Sequence, residues 1–192
     1  IIGEPNNDDF QYCESLEMVQ SSSSGVNYYV EGGKFPEKAK LCCMTGVYGN
    51  VISEHILGMV LSICRRIPEY RNQQNESKWK ILRYDKPLEG STVLILGAGD
   101  IGTTIAKWMR PMVGKIIGIR RTERAFPDCF DEMFTLEKLD EKLTEADFVI
   151  SILPQTPETI GLFDEKRLRL MKDDAILING GRGSLIDQKA LL

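Results

Sequence analysis

The chain contains 192 residues, of which 42% are hydrophobic and 27% are charged. This length suits one large domain or two small ones, with enough apolar side chains for a substantial core. The net charge of -4 at pH 7 argues against nucleic acid or an anionic membrane surface as a partner. The sequence shows no apolar run of bilayer-spanning length and no signal-peptide pattern, so we expect a cytoplasmic protein.

Cysteine usage indicates the redox environment. The five cysteines are odd in number and include no CxxC pair: Cys13, Cys42, Cys43, Cys64 and Cys129. Their spacing does not suit a zinc site, and we predict no metal. We therefore expect buried thiols in a reducing compartment, without disulfides.

Two short apolar runs near the start of the chain, at 16–20 and 40–44, predict strands of a small α/β unit. Between them lies "SSSSGVNYY" at 21–29. A serine run is typical of a flexible linker. This run also follows a strand and contains a glycine, as does a loop that presents backbone N–H groups to an anion. The residues alone leave both interpretations open.

A long amphipathic helix is predicted over 51–66. Five apolar residues recur there at helical spacing: Ile52, Ile56, Met59, Val60 and Ile63. Asn50 is positioned to cap the start, Arg65 and Arg66 fall in the last turn, and Pro68 ends the helix. The polar stretch at 71–90 then predicts an irregular connector.

From residue 91 onward, apolar strands alternate with helical stretches. Strands are predicted at 92–97, 115–120, 147–153 and 175–180. Helices are predicted at 101–112, 136–143 and 164–171, the last capped by Asp164. This alternation favours a parallel sheet with helices on both faces. Ligands bind at the carboxyl ends of such strands, which is where Gly97, Arg120, Pro154 and Arg182 fall.

The segment "LILGAGDIG" follows the first of these strands and opens a helix. Gly97 would make the tight turn, Gly99 would let the backbone approach a pyrophosphate, and Gly102 would let the helix pack closely on the strand. The positive end of the helix would face the phosphates. We therefore predict a dinucleotide site.

The end of the second strand bears on the choice of dinucleotide. An NAD site places Asp or Glu there to bind the ribose hydroxyls, whereas this chain has Arg120, Arg121 and Thr122. Two guanidinium groups and a hydroxyl suit a 2′-phosphate. We favour NADP over NAD; the alternative is a solvated basic turn.

The last two strands end in "ILPQTPETIGLF" and "NGGRG". Proline cannot extend the strand beyond Pro154, which would lie near the nicotinamide. Glycines on both sides of Arg182 would let its guanidinium point at a ligand, and a substrate carboxylate suits it. The alternative is a structural arginine paired with an acid.

These motifs together resemble the D-2-hydroxyacid dehydrogenases, a family that includes D-lactate and D-3-phosphoglycerate dehydrogenases and glyoxylate/hydroxypyruvate reductases. The resemblance covers nearly the whole chain and rests on "SSSSGVNYY", "SEHILGMVLSICRRIPEY", "SKW", "LILGAGDIG", "LPQTPETIGLF" and "LINGGRGSLID". It implies a homodimeric oxidoreductase that transfers a hydride between NADPH or NADH and a small 2-oxo acid.

The resemblance also implies roles for single residues. Ser24 and Gly25 would offer backbone groups to the substrate and cofactor, and Arg182 would be the catalytic arginine. Further residues would contact the cofactor: Asp100, Ile101, Leu153, Pro154, Thr159, Gly180 and Gly181.

The same resemblance implies two domains. Residues 1–44 would be part of a smaller, flavodoxin-like substrate domain. Residues 45–192 would form an incomplete Rossmann-like, doubly wound NAD(P)-binding domain. The helix at 51–66 would belong to the second domain and contribute to the dimer.

The family's catalytic glutamate and Pro-His pair follow the arginine at a distance that this sequence does not reach. We therefore expect a piece of a longer protein that binds nucleotide but does not reduce a 2-oxo acid alone. The single histidine, His55, does not match the catalytic position, and we interpret it as a packing or surface residue. The sequence does not select among small 2-oxo acids, because the serine loop would bind them through backbone groups.

Two other classes of protein remain open. One is a non-catalytic, corepressor-like dinucleotide sensor on the same fold, distinguished by whether the acid and base follow Arg182. The other is an S-adenosylmethionine methyltransferase, which also has a glycine-rich loop after its first strand; "GGRG" and "LPQTPET" argue against it.

Overall fold

The computed structural model describes residues 1–83, 86–122 and 125–192. Contacts between residues divide the chain into two compact units, Ile1–Tyr48 and Gly49–Leu192. The sequence predicted a domain boundary near residue 44. In the described part of the chain, no helix has both the length and the apolar character needed to cross a membrane.

The first unit contains a two-stranded parallel sheet and short helices. A 3₁₀ helix at Asn7–Tyr12 precedes β1, α1 and β2, which span Met18–Gln20, Asn27–Glu31 and Lys40–Cys42. Phe10, Val19 and Tyr29 form its small buried core. Helix α1 begins at Asn27, inside the segment 21–29, and places Tyr29 in this core.

The second unit contains a five-stranded parallel sheet with strand order β5-β4-β3-β6-β7. Its strands are β3 at Thr92–Leu96, β4 at Lys115–Ile119, β5 at Glu132–Phe134, β6 at Phe148–Ser151 and β7 at Ile176–Asn179. Its helices are α2 at Gly49–Cys64, α3 at Ile67–Asn75, α4 at Asp100–Met109, α5 at Leu139–Leu143, α6 at Glu165–Leu170 and α7 at Gln188–Leu191. Two short 3₁₀ helices cover Leu136–Lys138 and Gly183–Leu185. The predicted parallel sheet is confirmed.

Both faces of this sheet are covered. Side chains alternate along each strand, so neighbouring residues of one strand join different apolar clusters on the two faces. Val93 and Ile95 of β3 pack with Ile56 of α2 and Met109 of α4. Leu94 and Leu96 point the other way and join a second cluster, which includes Leu139, Leu143, Phe163 and Leu185. The Asp164 side chain caps α6 as predicted, since it accepts a hydrogen bond of 2.9 Å from the Arg167 amide.

The predictions around the long helix are partly wrong. The helix begins at Gly49, so Asn50 lies inside the first turn and does not cap it. It ends at Cys64, and the left-handed conformation of Arg66 (φ 53°) breaks the helical path. Pro68 lies in the first turn of α3, where proline is favoured because that turn needs no amide hydrogen.

Two elements and the cysteines also differ from expectation. Helix α3 replaces the start of the predicted irregular connector; it buries no residue and therefore has no apolar periodicity to reveal it. Strand β5 is short and half-buried and was missed. None of the five cysteines forms a disulfide, but only Cys64 is buried and Cys43 is exposed.

Candidate nucleotide and substrate sites

The turn after β3 has the tight geometry that the glycine motif predicts. Gly97 has φ +101°, and a Cβ there would lie 3.1 Å from the Ile152 carbonyl oxygen. A Cβ on Gly102 would overlap the carbonyl oxygen of Gly97. Gly99 is different, because a Cβ there would project into open space. Two glycines are thus needed for the fold itself, whereas Gly99 leaves room for a ligand beside the backbone.

Helix α4 presents its first-turn amides without a protein cap. Gly99 is the N-cap residue and supplies no side-chain hydrogen bond. The amides of Asp100 and Ile101 have no hydrogen-bond acceptor within residues 1–83, 86–122 and 125–192. Free amides and the positive end of a helix dipole stabilise phosphate groups. The turn and helix therefore fit the pyrophosphate of a dinucleotide.

The carboxyl ends of the strands bring the other predicted site segments to the same edge of the sheet. Leu96 of β3 pairs with Ser151 of β6, which pairs with Asn179 of β7. The segment after β7 follows β6 closely: Gly180 N donates to the Ser151 carbonyl at 2.9 Å, and a Cβ on Gly181 would lie 2.5 Å from the Leu153 carbonyl oxygen.

Arg182 follows this close approach and is exposed. Its carbonyl accepts a 2.8 Å hydrogen bond from Asn179 Nδ2, which fixes the backbone. Its guanidinium donates to the Gly181 carbonyl at 3.3 Å and forms no ion pair with any described carboxylate. A structural pairing with an acid is therefore not seen in the described residues, and the cation is available to an anionic ligand.

The segment after β6 is held by Thr159, which is buried. Its hydroxyl donates to the Pro154 carbonyl at 2.7 Å and accepts a 2.8 Å bond from the Thr156 amide. Leu153 is half-buried and Pro154 is exposed. The Thr159 side chain thus braces the loop from inside, while Pro154 lies at its surface.

The residues after β4 fall into two groups. Arg120 is buried, its amide donates to the Phe134 carbonyl at 3.0 Å, and its guanidinium donates to the Ala125 carbonyl at 3.1 Å. Arg121 and Thr122 are exposed. Arg120 therefore stabilises the turn that displays its two neighbours, a division of roles that the sequence did not reveal.

An open cavity of about 470 Å³ joins this turn to the glycine motif. Its wall contains Gly99 and Ala98, the α4 residues Asp100, Thr103, Thr104 and Lys107, and Arg120 after β4. The sequence reading missed Lys107, although Asp100, Thr103, Thr104 and Lys107 have the spacing of one helix face. The cavity fits the adenosine end of a dinucleotide whose phosphates lie on α4.

In the first unit, one carboxylate organises the serine run. Glu4 accepts hydrogen bonds from the Ser21 hydroxyl (2.8 Å), the Ser22 hydroxyl (2.7 Å) and the Ser23 amide (2.9 Å). The Tyr29 hydroxyl donates to its other oxygen at 2.8 Å. These bonds, that of Ser22 first, lower the pKa of Glu4 to about 2. Burial and the neighbouring carboxylate raise the pKa of Tyr29 to about 12.

The two residues predicted to bind substrate follow this cluster. The Gly25 amide donates to the Ser23 hydroxyl at 3.1 Å, whereas the exposed Ser24 has an amide with no acceptor among the described residues. The run is a hydrogen-bonded loop, so the linker interpretation is wrong. Glu4 was not found from the sequence, because nothing local links it to residues 17 to 25 positions away.

His55 lies on the exposed side of α2, in a groove of about 700 Å³ that also includes Val51 and Ile63. Of the two positions expected for this histidine, packing or surface, the structure shows the surface one.

The fold and the glycine turn define the second unit as a Rossmann-like dinucleotide-binding domain. The sequence model described as "D-isomer specific 2-hydroxyacid dehydrogenase, NAD binding domain" matches residues 57–192. The chain belongs to the D-isomer specific 2-hydroxyacid dehydrogenase family.

Individual proteins that are similar to this chain include members of the same family. The chain is 33% identical over 192 residues to a glycerate dehydrogenase of Methylorubrum extorquens, covering 96% of this chain and 58% of the relative. It superposes with a TM-score of 0.89 on the crystal structure of a family protein from Aeromonas salmonicida, at 34% identity over 99% of this chain and 61% of the other.

A second solved structure, from Xanthobacter autotrophicus, is a complex with NADPH and MES. It has a TM-score of 0.84 and 27% identity, covering 98% of this chain and 59% of the other. The chain thus spans about three fifths of the length of these relatives.

Proposed function

We propose that this chain is part of an NADPH-preferring oxidoreductase that interconverts a small 2-oxo acid and its D-2-hydroxy acid. One observation carries the proposal: the exposed guanidinium of Arg182, which has no ionic partner among the described residues, and the glycine turn Gly97–Gly102 lie at the same edge of one parallel sheet. Strand β6 alone separates the strands that bear them. The family membership supports the same activity.

The residues of the chain would divide the work as follows. The first-turn amides of α4 bind the pyrophosphate, and Gly99 admits it to the backbone. A bound nicotinamide supplies the hydride. Arg182 binds the substrate carboxylate and stabilises negative charge that develops on the carbonyl oxygen. In the first unit, the exposed Ser24 has a backbone amide that could donate to an anionic ligand.

The preference for NADPH rests on the end of β4. Residues 120–122 include no acid that would bind the ribose hydroxyls and repel a 2′-phosphate. Arg121 and Thr122 are exposed and offer donors. Measured dissociation constants of NADPH and NADH test this preference; tighter binding of NADH contradicts it.

We propose the two units as domains of different role: Ile1–Tyr48 as part of the substrate domain and Gly49–Leu192 as the cofactor domain. We expect residues 1–192 alone to bind NADPH without turnover, because their single histidine is exposed on α2 and no other imidazole is present to supply the proton. Steady oxidation of NADPH by residues 1–192 with glyoxylate contradicts this expectation.

The decisive variant is Arg182→Gln, which removes the charge and keeps a polar side chain. With NADPH saturating, we expect at least tenfold weaker binding of oxalate, which carries the carboxylate of a 2-oxo acid, and an unchanged affinity for NADPH. Lys189→Gln makes the same change of charge on α7 and serves as the control. Equal oxalate affinity in the parent chain and Arg182→Gln refutes the assigned role.

We also propose a homodimer formed through α2, α3 and the segment after α3. Large apolar side chains are exposed there: Val51, Ile63, Ile67, Trp79 (97% exposed) and Ile81 (73% exposed). Several exposed large apolar side chains on consecutive segments are consistent with an interface. Ile63→Asp should shift the mass in sedimentation equilibrium from dimer to monomer; a parent chain that sediments as a monomer contradicts the proposal.

A further inference from the structure

The cations of the second unit differ in how their charge is balanced. Many are paired with carboxylates, as in Lys86–Asp174, Arg110–Asp131, Lys115–Glu132, Lys142–Glu145 and Arg167–Asp140. Lys107, Arg121 and Arg182 form no ion pair with a described carboxylate. Arg121 and Arg182 already have roles in the proposed site, whereas Lys107 has none so far.

Lys107 lies in the wall of the open cavity of about 470 Å³ between α4 and the turn after β4. It is one helical turn beyond Thr103, which lines the same cavity, and Arg120 lies in the wall after β4. One acid, Asp100, also contributes to the wall. Its carboxylate lies against Gly49 at the start of α2, where an added Cβ would be 3.0 Å from it. Two cations therefore face one carboxylate in this cavity.

The position of the cavity indicates which part of a nucleotide would enter it. The cavity begins at the glycine turn, where the pyrophosphate would lie, and ends after β4, where such folds bind the adenosine ribose. A phosphate on the 2′-oxygen of that ribose would lie between α4 and the turn. Arg120 already donates to the Ala125 carbonyl and so has a structural role there. A long, flexible cation from the helix side would complete the binding of a dianion.

We propose that Lys107 binds the 2′-phosphate of NADPH and adds to the preference for NADPH over NADH. The proposal rests on the nucleotide site proposed above and adds a specificity residue from α4 to those that follow β4. Lys107 acts on one phosphate only, so its removal should weaken ligands that carry that group and spare ligands that lack it.

The test compares two fragments of the cofactor, 2′,5′-ADP and 5′-AMP, by calorimetric titration of residues 1–192 and of Lys107→Gln. We expect Lys107→Gln to weaken 2′,5′-ADP about tenfold or more and 5′-AMP less than twofold. Lys107→Arg should keep the preference for 2′,5′-ADP. Lys189→Gln, with the same loss of charge on α7, should leave both affinities unchanged.

The outcomes separate this inference from the proposed function. If NADPH binds and Lys107→Gln leaves the ratio of the two fragment affinities unchanged, Lys107 does not bind the 2′-phosphate, while the nucleotide site stands. An equal loss for both fragments also overturns the inference, because it indicates a general effect of charge. If neither NADPH nor NADH binds the parent chain, the proposed function and this inference both fail.

Discussion

The two units of the chain order their serine-rich and glycine-rich loops by different physical means. In the first unit, the serine loop is ordered by hydrogen bonds from side chains and one amide to Glu4, over a small core of Phe10, Val19 and Tyr29. In the second unit, the glycine turn is ordered by backbone packing against a five-stranded sheet with apolar clusters on both faces. A small core leaves polar contacts to shape a loop, whereas a large core shapes a turn by steric fit.

This comparison predicts that the second unit is most sensitive to added volume. Gly102→Ala would force a methyl group into the Gly97 carbonyl, and backbone cannot move aside as a flexible side chain can. We expect the free energy of unfolding of this unit to fall by about 3 kcal/mol. Urea denaturation followed by circular dichroism measures it; a loss below about 1 kcal/mol shows that steric fit does not hold the turn.

Gly99→Ala is the matched change within the same turn. Its methyl group would have no atom of the described residues within 4 Å, so the free energy of unfolding should change by less than about 0.5 kcal/mol. The methyl group would nevertheless occupy the space through which the pyrophosphate approaches, and we expect NADPH to bind at least tenfold more weakly. An unchanged affinity for NADPH would show that the pyrophosphate does not bind beside Gly99.

The first unit should instead be sensitive to the loss of a polar contact. Tyr29→Phe keeps the buried ring and removes the hydroxyl that donates to Glu4. We expect a loss of about 1 kcal/mol in the free energy of unfolding. Amide hydrogen exchange should become faster at Ser23, whose amide donates to the same carboxylate. Exchange that stays as slow as in the parent chain contradicts the role of Glu4 as organiser of the loop.

The smallest effect concerns pH. The pKa of Glu4 is about 2 in the folded chain, below its usual value of 4.5, so its contribution to stability is complete above pH 4.5 and is lost as the pH falls toward 2. Glu4→Gln lacks that contribution. The stability difference between the parent chain and Glu4→Gln should therefore be largest at neutral pH and shrink between pH 4.5 and 2. A difference that is constant over this range contradicts the lowered pKa.

Tyr29 gives the opposite sign at high pH. Its pKa of about 12 lies above the usual value of 10, so the neutral hydroxyl is favoured in the folded chain. The corresponding stability is complete below pH 10 and is lost as the pH rises toward 12. In Tyr29→Phe this loss of stability at high pH should be absent. Urea denaturation measures the stability of both chains, and ultraviolet titration of the parent chain follows the formation of tyrosinate over the same pH range.

Sequence patterns were sufficient for the elements that carry their own signal. The runs at 92–97, 115–120, 147–153 and 175–180 correspond to β3, β4, β6 and β7. β3, β4 and β6 are buried on both faces, which requires a run of apolar residues, and β7 has the apolar run "ILI" although it is less buried. Strand β5 and helix α3 carry no such signal, since β5 is only half-buried and α3 buries no residue. An element that buries few side chains has no marked pattern of apolar residues from which it could be predicted.

The sequence by itself determined the glycine turn after β3, the alternation of strands and helices, and the position of Arg182 after the last strand. These features depend on local spacing and on continuous burial, which the order of residues encodes directly. The tertiary structure alone decided that Arg120 supports its turn, that Lys107 lines the cavity and that Glu4 gathers the serine loop. Glu4 contacts residues 17 to 25 positions away, and the cavity brings Lys107 of α4 beside Arg120 after β4, so these roles depend on how separate segments of the chain fold together.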